Sequence, residues 1–244
     1  MANDAGKRSG NGAEDGPDPL GLRPRVLYRD DAVIVLDKPA GIAVHKGPKG
    51  GIVLEDGFDA LRFGQAQPPQ LAHRLDKDTS GCLVLGRTGE AIAALGRLFA
   101  AKGRVEKHYW AVVQGGPTAD EGTIDAPLRK RDAARGWWMV VDHANGQPSS
   151  TIWRVLGRGA GFAWLDMIPV TGRTHQLRIH AAHAGFPILG DPIYGQAARS
   201  GAHLHLHARG IAFTLGHQRV DVTAPVPDHM RAGLGLCGWR PEAG

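Results

Sequence analysis

Apolar positions along this chain fall into short β-branched or alternating runs far more often than into helical stripes. Val26-Leu27-Tyr28 and Val33-Ile34-Val35-Leu36, separated by Arg29-Asp30-Asp31, have the pattern of two strands joined by a tight turn. Lys38-Pro39-Ala40-Gly41 then breaks the second run. Strands are also predicted from Val105 to Gln114, Ser149 to Leu156 and Gly161 to Val170, with Trp137-Trp138-Met139-Val140-Val141 a further one. Two stretches switch to helical spacing. Ile92, Leu95, Leu98 and Phe99 share a face behind Thr88, a good cap, and ahead of Gly103. Arg173 to Ala184 reads as a second helix, closed by Gly185 and Pro187. Strands in runs with few helices between them predict an α+β fold, and no repeat of solenoid length is present. Residues 1–24 hold almost nothing apolar and read as a disordered tail, which leaves residues 25–244 as one domain.

Composition narrows the function classes only partly. No apolar run approaches the roughly 20 residues that span a bilayer, and the amino terminus lacks a secretory signal, so no membrane anchor is expected. Cys82 and Cys237 are too far apart for a metal-binding pair, and a reducing, cytoplasmic location fits them. The formal net charge of +5 modestly favours a polyanionic partner.

Candidate chemistry centres on His73-Arg74-Leu75-Asp76-Lys77-Asp78-Thr79-Ser80-Gly81. Asp76 stands between Arg74 and Lys77, which favours its ionised form, and an ionised carboxylate can act as nucleophile or base. Turn chemistry alone explains residues 78–81 but not Arg74-Leu75-Asp76. Lys107 and Tyr109 share one face of a predicted strand, a pattern that packing also produces. Thr171-Gly172-Arg173-Thr174-His175-Gln176-Leu177-Arg178-Ile179-His180 is a strand-to-helix junction dense in donors, with His175 and Arg178 neighbours on one face and helix-start amides suited to an anion. His203, His205 and His207 share one face of a predicted strand, yet no adjacent carboxylate would orient them, so no metal is expected. Asp78-Thr79-Ser80-Gly81 departs from the Asp-Thr-Gly of aspartic proteases and has no second copy, and neither a P-loop nor a Gly-x-Ser-x-Gly elbow occurs.

Together, His73-Arg74-Leu75-Asp76 with Thr79-Ser80-Gly81, Lys107-x-Tyr109, Gly172-Arg173-Thr174-His175-Gln176-Leu177-Arg178-x-His180 and Gly190-Asp191-x-x-Tyr194-Gly195 resemble the RluA-type pseudouridine synthases. Lys38-Pro39-x-Gly41 and Leu206-His207-Ala208 also match, and the resemblance runs from about Val26 to Pro227. It implies a mixed, largely antiparallel central sheet flanked by helices, and conversion of uridine to pseudouridine within RNA without cofactor. The implied catalytic residues are Asp76, the Arg178 that pairs with it, and Tyr109 stacked on the uracil. Whether such an aspartate attacks C1′ or takes a proton from C2′ stays open in the sequence. Arg74 matches the residue that fills the gap left by the flipped nucleotide, and Leu206 lines the uracil pocket. Thr79, Arg173, His175 and Gln176 are further substrate-binding candidates.

The implied partner is a stem-loop of ribosomal or transfer RNA, with no obligate protein partner and a monomer as the default. Some relatives carry a small RNA-binding domain before the catalytic part. The 24-residue tail is too short for one, so a stand-alone catalytic domain is expected. Lys102, Arg104, Arg129, Lys130, Arg131 and Arg135 are placed to follow phosphates, and Trp137 or Trp138 to stack on a base. Two other readings compete. A binding-only RNA protein predicts affinity without product. A glycosidase or nucleosidase generally needs two carboxylates across the sugar, and only Asp76 has a convincing setting.

Overall fold

The computed structural model describes residues 16–47, 50–131, 138–195 and 203–241. In chain order the elements are β1 (Val26–Arg29), β2 (Val33–Lys38), β3 (Gln70–Leu71), β4 (Ser80–Gly86), α1 (Gly89–Ala100), β5 (Val105–Gln114), β6 (Glu121–Asp125), β7 (Leu128–Lys130) and β8 (Met139–Val141). They continue with β9 (Ser150–Gly159), β10 (Phe162–Pro169), α2 (Gln176–His183), β11 (Leu206–Leu215), β12 (Gln218–Thr223) and α3 (Asp228–Leu236). Ten strands form one sheet in the order β1-β2-β4-β11-β5-β10-β9-β6, with β3 also on β4 and β12 also on β11; β7 and β8 pair separately. Among the described residues only β4 and β11 run parallel. The α+β class and the largely antiparallel sheet are therefore as expected.

The unbroken apolar runs of β2 and β4 have a simple cause. Ile34, Leu36, Leu83 and Leu85 point into one core, while Val33, Val35, Cys82 and Val84 point into another with Leu95 of α1, so both sheet faces are covered here. Thr88 caps α1 by accepting from the Ala91 N–H at 3.2 Å, a contact worth about 1 kcal/mol. A third core, under β5, β9, β10 and α2, gathers Val113, Leu165, Met167, Leu177 and Phe186.

The two halves meet where β11 lies between β4 and β5. The parallel β4–β11 seam is short, pairing His207 with Ser80 and Ala208 with Gly81. Gly81 has φ +103°, and a Cβ there would lie 2.3 Å from the Ala208 carbonyl oxygen, so only glycine permits this approach.

Three expectations need correction. The predicted tail extends too far: Leu22 is fully buried in the β2–β4 core, and Asp18 accepts from the Leu22 and Arg23 amides at 2.8 and 2.9 Å. Two leucines in a polar background suffice here because they fill a core built by later strands. Residues 1–15 lie outside the described residues, as do Arg135 and Trp137. The helix expected from Arg173 starts only at Gln176, because His175 adopts a left-handed backbone with φ 54°. The three histidines do not share a strand face. β11 begins at Leu206; His205 Nδ1 binds the His203 carbonyl, whereas His207 Nδ1 meets Ser80 Oγ at 2.8 Å.

Candidate active site

Asp76 lies in the loop between β3 and β4. Leu75, 6% exposed, plugs the β2–β4 core and turns its neighbours outward, so Arg74 reaches solvent while Asp76 borders a cavity. Lys38 pins this loop from beneath. Its fully buried ammonium donates to the Pro39 carbonyl at 2.7 Å and the Lys77 carbonyl at 3.0 Å, and the Gly41 N–H donates to the same Lys77 oxygen. Burial pushes the Lys38 amine down to about 8, against the pull of Asp78 and Asp76.

The facing wall comes from the turn into α2. Arg178 Nη1 lies 3.8 Å from Asp76 Oδ2, and His175 Nε2 lies 3.9 Å from the same oxygen. The expected pairing of Arg178 with Asp76 is therefore a one-nitrogen approach and not the guanidinium's main contact. Arg178 makes its two-point contact with Asp191, Nε to Oδ2 and Nη2 to Oδ1, both at 2.8 Å. The Ile193 and Tyr194 amides also donate to Asp191 Oδ1. Burial alone would raise the Asp191 carboxyl, but Arg178 and these amides outweigh it and hold it below the usual carboxylate range. Thus Asp191 aims the guanidinium and one remaining nitrogen faces Asp76. Arg74 and Lys77, the cations adjacent in sequence, form no ion pair with Asp76 among the described residues.

His175 is held by a chain of donors. Tyr194 Oη accepts from the Met139 N–H at 3.0 Å and lies 3.0 Å from His175 Nδ1. Burial pushes the Tyr194 phenol up to about 12, so its proton is retained. Burial also lowers His175 below the usual imidazole range, against the pull of Asp76, and its ring joins the two groups, with Nδ1 on Tyr194 and Nε2 facing Asp76. The left-handed backbone at His175 is what turns the ring inward.

A cavity of about 280 Å³ between these walls is bordered by Asp76, Tyr109, Arg178, Arg74, Thr79, Arg173, His175, Gln176 and Leu206, all the positions singled out from sequence. Their roles differ. Tyr109, on β5, packs against the cores of both halves, and burial and the nearby Asp76 charge push its phenol up, so it presents a neutral ring and hydroxyl. Leu206 and Thr79 are buried walls, whereas Arg74 and Arg173 are exposed at the rim. Gln176 has no hydrogen-bonding capacity left for a ligand. Its amide nitrogen donates to the Ser150 carbonyl and Thr151 Oγ1, and its oxygen accepts from Thr171 Oγ1 and the Arg173 N–H. It shapes the turn rather than the ligand contacts. The same oxygen occupies the Arg173 amide, leaving less of the anion site expected at this helix start.

Lys38, Asp191 and Tyr194 carried no assigned role in the sequence, although each lies in a matched block. Buried polar residues beside Pro or Gly in those blocks were the available signal. Among the described residues no three His, Cys, Asp or Glu side chains converge as metal ligands would.

Similarity to known proteins points to one family. Residues 32–183 match the family model for RNA pseudouridylate synthase. A Zymomonas mobilis protein named as an uncharacterized RNA pseudouridine synthase is 40% identical over 84% of this chain and 95% of its own length. Ribosomal large subunit pseudouridine synthase C of Escherichia coli is 36% identical over 87% of this chain and 68% of its own. Among solved structures, human RNA pseudouridylate synthase domain containing 4 superposes with a TM-score of 0.74 at 27% identity, covering 88% of this chain and 93% of that one. A carboxylate and a guanidinium facing each other beside a half-buried tyrosine thus stand within a sequence that belongs to the RNA pseudouridylate synthase family, of RluA type, whose members are isomerases.

Proposed function

We propose that this chain isomerises uridine to pseudouridine in large-subunit ribosomal RNA, with Asp76 as the carboxylate that reacts at the ribose of a flipped nucleotide. The ribosomal substrate is carried over from the name of the Escherichia coli relative. The observation that carries the assignment of Asp76 is its Oδ2 facing Arg178 Nη1 at 3.8 Å across a cavity that also holds Tyr109. The reaction breaks N1–C1′, turns the uracil and joins C5 to C1′, and the hydrogen lost from C5 is balanced by one gained at N1. No other reagent is consumed.

Each residue supports a part of that sequence. Arg178 stabilises the carboxylate and keeps it directed at the cavity, while Asp191 and Lys38 act as positioning residues for the two walls. Tyr109 offers its ring to the uracil face. Chemistry at C1′ and C5 requires the nucleotide to leave the stack, and Arg74, exposed at the rim, is placed to occupy the gap. Lys102 and Arg104 are exposed on the turn before β5 and suit phosphate contacts, whereas Arg129 is paired with Asp142 at 2.6 Å and Arg131 sits over the Trp138 ring.

Unmodified ribosomal and transfer RNA transcripts carrying 5-tritiated uridine test the reading. Tritium release from the ribosomal transcript is expected, with Asp76→Asn lowering it at least about 10⁴-fold, as for loss of a group that acts directly in bond breaking. Undiminished release by Asp76→Asn would overturn the catalytic assignment. Release from transfer RNA alone would overturn the substrate, and free uracil would indicate a hydrolase instead.

A further inference from the structure

Beside the catalytic cavity the sheet opens. β5 and β10 are paired from Gln114↔Phe162 to Tyr109↔Met167, and there their ladder ends. Both strands continue: β10 stays on β9 as far as Pro169, and β5 stays on β11 back to Val105. The splayed ends, with the chain from Phe99 to Gly103 at the close of α1, enclose a second cleft of about 490 Å³. That is well within the roughly 300–1,000 Å³ of small-ligand sites. It adjoins the first cavity, and Phe99, Lys107, Pro169 and Arg173 border both.

The cleft is lined by apolar surface and cations, and its carboxylate, Glu106, is taken up by Arg219 at 3.1 Å. Val170 on its wall is 45% exposed, an aliphatic surface open to a flat ring, and Ile168 continues it. Lys102 and Arg173 are exposed at its edges. Lys107 lies on the boundary between the two cavities, half-buried, with its ammonium 5.0 Å from the Phe99 ring centre. Among the described residues no carboxylate pairs with it and it makes no hydrogen bond. A half-buried ammonium without an anion is costly unless a ligand supplies one, and burial indeed lowers the Lys107 amine from its ordinary range.

We propose that this cleft receives the nucleotide adjoining the extruded uridine, with the phosphodiester that joins the two nucleotides held on Lys107. The inference rests on the RNA reading above and adds to it a second subsite. Chain connectivity supplies the geometry: when neighbouring bases occupy adjoining cavities, the phosphate between them lies on the boundary, where Lys107 stands. Recognition of the neighbour then comes from apolar contact and charge at a splayed strand end, a mode suited to single-stranded loops.

The test uses the full-length protein and the unmodified large-subunit ribosomal transcript, with binding and turnover read separately. Val170→Asp, at an exposed position, should raise KM about tenfold with kcat within about twofold, the scale of one lost base contact. Lys107→Gln should flatten the dependence of log affinity on log salt by about 0.7, one phosphate contact on a single strand. A 4-thiouridine next to the modified uridine should crosslink within residues 99–107 or 168–173. Unchanged KM and salt slope in both variants, or crosslinks confined elsewhere, would overturn the cleft assignment. A wild type that binds the transcript without releasing tritium would instead refute the proposed substrate, and the salt slopes would still decide the cleft.

Discussion

The two walls of the catalytic cavity are built by opposite strategies. The Asp76 wall belongs to the β1–β4 half and is held by apolar burial of Leu75 and by one buried ammonium on two carbonyl oxygens. The Arg178 wall belongs to the β5–β10 half and is held by a dense polar network through Asp191, Gln176, Tyr194 and His175. One wall therefore presents a carboxylate on a loop that backbone contacts secure, and the other presents a guanidinium whose orientation is over-determined. The difference matters for precision. A carboxylate reacting at a sugar carbon tolerates small loop adjustments if the opposing cation is rigid, and here the rigidity lies on the cation's side.

The largest effect should come from breaking the polar wall. Asp191→Asn removes the charge from a fully buried carboxylate and leaves the Arg178 guanidinium without its two-point ionic partner. Loss of about 3–5 kcal/mol of stability is expected in urea titration, together with at least about a hundredfold fall in kcat under conditions where the variant stays folded. Stability and kcat both near wild type would show that Asp191 is not what orients Arg178.

Acid should act next, at the seam between the halves. His207, 1% exposed, is pushed down to about 4 by burial, against an ordinary 6.5 in the unfolded chain. Between those values the unfolded chain binds the proton that the folded chain refuses, so stability is intact above pH 6.5 and declines as pH falls toward 4. The loss is roughly 3 kcal/mol from this residue alone. His175, His180, His205 and His229 are also lowered by burial and add in the same direction. Thermal melts at pH 7 and pH 5 check this; equal melting temperatures would refute it, and His207→Gln should shrink the difference.

The smallest stability change, and the sharpest contrast with Asp191, should come from Lys38→Met. The substitution removes a buried charge along with its two hydrogen bonds, and the terms roughly offset, so stability should change by no more than about 1 kcal/mol. The Asp76 loop loses its pin, and kcat should fall about tenfold with KM little changed. Unchanged kcat would mean that Leu75 and the Gly41–Lys77 hydrogen bond hold the loop without Lys38.

What could be read in advance followed the physics of each element. The hairpin at β1 and β2, the capped α1 and the full span of β5 were legible because periodicity and capping are local properties. The onset of α2 was not, since His175 there has a left-handed backbone and its ring is held by Tyr194, a contact that no local pattern contains. Leu22 was assigned to a tail because its burial depends on strands that follow it.

By itself the sequence determined the α+β class, because periodicity is local, and its likeness to the RluA-type blocks named the handful of residues that converge on one cavity, while strands such as β4, β6 and β12 and the helix α3 went unread. Only the tertiary structure decided which partners those residues take. Arg178 could have clasped either carboxylate from the standpoint of spacing, and it clasps Asp191 while merely facing Asp76. The distance from Asp76 to Arg178, by contrast, is set by how the two halves meet at the β4–β11 seam that glycine at position 81 allows to close. Such distances arise only when the separate cores have packed.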